Sequence, residues 1–177
     1  MRRVALAVAV LLAGCGSQSA RPAKPQTFRL SWRETYESRG ERLVFAVSRL
    51  TVGRRRWSVR AAVTNGTNVA LTIERAHRPR GSLFGLLLFR GPSLGDVVKT
   101  ARYREPLQST RFDPALPHIL YPGRTWSGTF SGPGVPPQNR YVRVEFGRFW
   151  GGPPGSASRW RGVIWITNHA VRLGGSG

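Results

Sequence analysis

Apolar and polar residues alternate along much of this chain, most clearly from Trp57 to Glu74 (WSVRAAVTNGTNVALTIE). Trp57, Val59, Ala61 and Val63 alternate with Ser58, Arg60, Ala62 and Thr64. A period of two marks a strand with one buried face. Val69, Leu71 and Ile73 repeat the pattern against Ala70, Thr72 and Glu74. Asn65-Gly66-Thr67-Asn68 between them is a turn cluster. A two-residue Asn65-Gly66 loop would set Val63 opposite Asn68 and send the two apolar sets to opposite faces, which a one-faced core forbids. Either an odd-length loop pairs Val63 with Val69, or the turn is an arch that carries the chain to the facing sheet. Both place the apolar residues inside. The arch, a natural sandwich connection, is slightly favoured.

The same reading covers the rest of the chain. Phe28, Leu30 and Trp32 predict a first strand, and the polar stretch Glu34 to Arg42 predicts a loop. Leu43, Phe45 and Val47 are out of phase with Leu50 and Val52, which predicts a bulge near Ser48-Arg49. Gly53-Arg54 then closes a hairpin with Leu50 opposite Trp57. Phe84 to Phe89 (FGLLLF) predicts a buried central strand. Ser93 and Asp96 resemble a capping box, and Leu94, Val97, Val98 and Ala101 share a face, so a short helix is expected over 93–104. Glu105 to Pro117 reads as irregular. Short strands follow at Ile119 to Tyr121, closed by Pro122-Gly123, and around Trp126, Gly128 and Phe130. After a Gly132 to Gln138 loop, Tyr141 to Phe149 has Val142, Val144 and Phe146 on one face. A Gly151 to Ser158 loop leads to a strand over Arg161 to Thr167, with Val171 to Leu173 extending the pairing.

Many short strands with turns between them make an all-β, antiparallel β-sandwich the economical fold, in one domain over 27–173 with a frayed tail at 174–177. The strand ending in Val63-Thr64-Asn65, and Leu120-Tyr121-Pro122-Gly123 ahead of another strand, resemble bacterial immunoglobulin-like accessory domains over roughly residues 43 to 149. Such a resemblance implies an immunoglobulin-like sandwich and carries no activity with it.

The amino terminus adds an address. Arg2 and Arg3 precede a short apolar run, Val4 to Leu12, which is too short to span a bilayer as a helix and reads as a signal-peptide core over 1–14. It ends in Leu12-Ala13-Gly14-Cys15, which resembles the lipobox of bacterial lipoproteins. That resemblance implies cleavage after Gly14, lipid on the Cys15 thiol and an acylated amino terminus. The expected location is the cell membrane, anchored on its extracytoplasmic side. Several buried acyl chains hold durably, at roughly 0.8 kcal/mol per buried CH₂. Cys15 is the sole cysteine, so no intramolecular disulfide forms. Residues 15–26 then form a lipidated cysteine and a flexible tether.

Charge narrows the partners. The chain has 28 Lys+Arg against 8 Asp+Glu, a net of +20. Loss of Arg2 and Arg3 with the signal leaves 26 against 8, a net of +18. Such a charge favours anionic surfaces. The basic residues are scattered, and sequence alone locates no patch beyond Arg54, Arg55 and Arg56 in the predicted hairpin turn. They read either as a solvated tip or as a contact to phosphate groups. Trp150 and Trp160 flank the Gly151 to Ser158 loop beside Arg148, Arg159 and Arg161. That rim either closes the loop base or stacks on sugars and anionic polymer. Trp57, Trp126 and Trp165 read as core.

Catalytic signals are poor. His77, His118 and His169 have no ligand-type residue at metal-binding spacing, and no cofactor or metal is implied. No nucleophile-elbow or phosphate-binding glycine motif occurs. Glu74 and Glu145 read as polar-face partners of nearby arginines. Asn65-Gly66-Thr67 fits the N-glycosylation pattern, but beside a bacterial lipobox it reads as a turn. The expectation is therefore a non-enzymatic, lipid-anchored envelope module. Its partners would be the membrane through Cys15 and an anionic envelope polymer, lipid headgroups or an envelope protein. The alternative is a carbohydrate- or solute-binding lipoprotein that uses Trp near the 151–158 loop. An exported location argues against nucleic acid.

Overall fold

The computed structural model describes residues 21–38, 40–73, 84–93, 95, 107–151 and 162–174. Among them the chain forms two antiparallel sheets, an all-β sandwich. The first sheet contains β1 (Gln26–Ser38), β2 (Glu41–Val52), β3 (Arg56–Gly66), β9 (Thr125–Pro133) and β7 (Arg111–Asp113), in the order β1-β2-β3-β9-β7. In the second, β10 (Tyr141–Gly151) pairs along one side with β5 (Gly85–Phe89) and β4 (Leu71–Ile73). It also pairs with β11 (Val163–Ile166) and β12 (Val171–Arg172). The short β6 (Leu107–Gln108) pairs with β5, and β8 (Ile119–Leu120) pairs with β4.

Trp57 to Glu74 connects the two layers. β3 lies in the first sheet and β4 in the second, so the turn between them is an arch. Asn65 is fully buried in it. Its Nδ2 donates to the carbonyls of Val69 (2.9 Å) and Leu120 (2.8 Å), and its Oδ1 accepts from Thr67 N–H (3.0 Å) and Oγ (2.7 Å). Backbone bonds from Asn65 to Arg124 and from Gly123 to Asn65 tie the arch to the Tyr121–Arg124 turn. There Gly123 takes a φ of +72°, which glycine adopts without steric cost.

The inward residues of both layers form one core. Phe84 lies at its centre, with the rings of Phe112, Trp126, Phe130, Phe146 and Phe149 around it at centroid distances of 5.5–6.4 Å. Edge-on aromatic pairs of this kind add about 0.5–1.5 kcal/mol each beyond area burial. The expected bulge is present: register shifts between Val47 and Arg49, which restores Leu50 and Val52 to the inner face.

Four expectations about the strands and their turns need correction. The hairpin sets Val52, not Leu50, opposite Trp57, and Leu50 faces Val59. This two-residue offset keeps the same residues on the buried face, and Gly53 N–H closes on the Arg56 carbonyl. The stretch read as a loop, Glu34 to Arg42, is largely strand, because β1 alternates through it with Glu34 and Tyr36 facing inward. Glu105 to Pro117, read as irregular, contains β6 and β7, and between them Ser109 N–H bonds to Phe84 in one sheet and Thr110 N–H to Ser131 in the other. The Gly132 to Gln138 loop begins only after β9 has run through Pro133.

The end of the stretch read as tether is docked. Ala23 is buried, bonds through its N–H to the Pro136 carbonyl, and lies beside a Pro22–Pro137 bridge. The helix expected over 93–104 falls almost wholly outside the described residues, as do Cys15 and Glu74.

Candidate functional site: a basic sheet face and a clamped loop

The outer face of the first sheet is set by register. Arg29 of β1 lies directly opposite Arg49 of β2, and Arg49 lies opposite Arg60 of β3. Three exposed guanidinium groups thus stand in one line across three adjacent strands. Neighbouring strands run about 4.8 Å apart, so the line covers roughly 10 Å. The flanking rows are short or small: Thr27–Thr51–Ser58–Ser131 on one side, and Ala46–Ala62–Ser127 beside Arg33 on the other. Arg33, Arg42, Arg56 and Arg111 extend the face, so seven arginines share it with only two acids, Glu37 and Asp113. No hydrogen bond or ion pair joins the guanidiniums of Arg29, Arg49 or Arg60 to a described residue. Like charges directly opposite one another weaken a sheet.

Arg54, Arg55 and Arg56 are exposed at the adjoining β2–β3 hairpin tip, as the sequence indicates. The Arg55 carbonyl accepts Gly134 N–H, which fixes the tip against the loop where Pro22 and Ala23 dock. The tip and the amino-terminal entry of the chain therefore share one end of the sandwich.

The other candidate group divides. Arg148 and Trp150 come together at the end of β10, with the guanidinium carbon 5.9 Å from the indole centroid. Trp150 is 39% exposed, and one face of its ring carries Arg148. Arg159, Trp160 and Arg161 lie outside the described residues.

The sequence reading missed a second constellation. Glu34 occupies an inward position on β1 and is buried. Its Oε2 accepts from Trp165 Nε1 (2.9 Å) and Asn168 N–H (2.8 Å), and its Oε1 accepts His169 N–H (3.1 Å) and lies 2.6 Å from His169 Nδ1. Arg143 of β10 holds the same loop from the other side: Nη1 donates to the carbonyls of Thr167 and Asn168, and Nη2 to that of Pro92. Thr167 Oγ accepts Val144 N–H and donates to the His169 carbonyl. One carboxylate and one guanidinium thus satisfy both polarities of the loop backbone, as burial requires. The His169 ring is exposed and stacks on Trp32 at 5.7 Å. Burial draws the Arg143 guanidinium below its ordinary range, and the nearby Glu34 carboxylate opposes that.

Glu145 corrects the expectation of an arginine partner on a polar face. It is buried, and its Oε2 has no hydrogen-bond partner among the described residues. Its cross-strand neighbours are Gly85 and Ile166. Desolvation raises its carboxyl to about 7.

Among the described residues no three His, Cys, Asp or Glu side chains gather as a metal site, and no helix is long and apolar enough to cross a membrane. The chain matches no family model, no curated protein and no solved structure.

Proposed function

We propose that this chain is a lipid-anchored, non-enzymatic envelope module whose basic sandwich engages an anionic envelope component. The observation that carries the reading is the Arg29–Arg49–Arg60 line, whose guanidiniums have no partner among the described residues. The line costs the sheet stability, and among the described residues only Asp113, two strands beyond Arg60, brings an acid into the same row; a bound anion would relieve that repulsion. The lipobox resemblance at Leu12-Ala13-Gly14-Cys15 supplies the anchor, and the immunoglobulin-like resemblance fits an accessory role. Binding by exposed arginines weakens steeply as salt rises.

The test is co-sedimentation of the unlipidated chain with anionic cell-wall polymer and with anionic vesicles, at low and high salt. Capture at low salt that is lost at high salt supports the reading. No capture, or capture indifferent to salt, overturns it. A second reading, glycan binding, rests on exposed Trp150. It predicts salt-resistant quenching of tryptophan fluorescence by glycans, and the Arg148 guanidinium over that ring counts against it.

A further inference from the structure

The amino-terminal entry and the Arg54–Arg55–Arg56 tip lie at the same end of the sandwich. Pro22 bridges to Pro137, and three residues earlier in that loop Gly134 bonds to Arg55 in the hairpin tip. Gln26 pairs with Val52, the last residue of β2 before the tip, and Arg29 is only three residues further along β1. Seven Cα-to-Cα steps lead from Cys15 to Pro22, a span of at most about 25 Å when fully extended. An acylated Cys15 would therefore keep this end, and not the opposite one, close to the lipid surface. The arginine line stands on a low, open face of Thr, Ser and Ala. An array without walls suits an extended plane of anions better than a single small one.

We propose that the hairpin tip (Arg54, Arg55, Arg56) and the adjoining line (Arg29, Arg49, Arg60) dock on anionic phospholipid headgroups of the membrane that holds the anchor. This rests on the anchored, anion-binding reading above and deepens it by naming the partner and the surface. Docking adds electrostatic hold to the acyl chains and lays the first sheet towards the bilayer, leaving the second sheet turned away.

The test uses residues 16–177, which contain every described strand and the whole described core but lack the acylated cysteine. Partitioning is measured into vesicles of phosphatidylcholine alone and mixed with phosphatidylglycerol, at low salt. Three variants each remove two charges: R49Q/R60Q from the line, R55Q/R56Q from the tip, and R124Q/R172Q from positions off that surface, in the turn before β9 and on β12 of the second sheet. All six positions are exposed, and circular dichroism verifies folding. Each arginine near an anionic surface contributes about fivefold, so the first two pairs are expected to lose on the order of 25-fold in partitioning. The R124Q/R172Q pair loses much less, and neutral vesicles bind none of the proteins. Equal losses in all three variants overturn the proposed surface. Capture by anionic wall polymer without vesicle binding overturns the membrane partner while the broader reading stands. Capture by neither removes both.

Discussion

The outer face of the first sheet and the polar residues buried in and beside the second treat charge in opposite ways. Arg29, Arg49 and Arg60 are exposed, aligned with one another, and without a described partner. Arg143, by contrast, is buried and gives its guanidinium to three backbone carbonyls, while Glu34 accepts from the same loop. From sequence, Arg29, Arg60 and Arg143 all read as polar positions of alternating strands, Arg49 as part of a bulge and Glu34 as loop. Water screens the first set, so each of its members contributes little to stability. Removing one partner from a buried group leaves the other uncompensated, at a cost of several kcal/mol.

Four substitutions sharpen or break this contrast. Arg143→Met has the largest expected effect, because it strands the buried Thr167 carbonyl, at about 1–3 kcal/mol, together with the part-buried carbonyls of Asn168 and Pro92. Urea unfolding is expected to show a loss of about 4 kcal/mol, and a loss below 1 would place that guanidinium with the exposed set. Glu34→Ala comes next, with about 3 kcal/mol lost as the loop donors and the Trp165 indole lose their acceptor.

Glu145 acts in the opposite sense. Its carboxyl is raised from 4.5 to about 7 by burial, so the folded chain holds a proton that the unfolded chain releases. Stability therefore falls as pH rises from about 4.5 to about 7 and is flat beyond. At 1.36 kcal/mol per unit, the full penalty is about 3 kcal/mol. Glu145→Gln is expected to recover much of it at pH 8 and to flatten the stability profile across that window. A profile unchanged by the substitution would refute the assignment. The smallest effect belongs to Arg49→Thr, which relieves the like-charge line and is expected to stabilise by about 0.5 kcal/mol at low salt, with the gain fading in high salt.

These assignments were unequally legible in the sequence. The sandwich and the bulge near Ser48-Arg49 follow from the period-two pattern, because a one-faced core tolerates no other phase, while the same pattern leaves the turn at Asn65 as either an odd-length loop or an arch, the arch slightly favoured. The arginine line was not legible. Arg29, Arg49 and Arg60 become neighbours only once the register of β1, β2 and β3 is known, and β1 extends into a polar run that reads as loop. Glu34 was hidden for the same reason: its partners lie more than 130 residues away. Arg143 and Glu145 alternate with Val142, Val144 and Phe146 and so look solvated, whereas β10 is buried on both faces. Of the loop-rim candidates, Arg148 and Trp150 do come together, and Arg54 to Arg56 stand exposed where the turn residues placed them.

The buried Asn65 bears on how the protein is produced. A eukaryotic secretory host would meet Asn65-Gly66-Thr67 as an acceptor while the chain is still extended. A glycan attached there would take the nitrogen that donates to Val69 and Leu120 and would put a bulky sugar where the arch must close. Recombinant material from such a host would divide into an unmodified folded fraction and a glycosylated fraction unable to join its sheets. A bacterial cytoplasm offers the same sequence no such diversion.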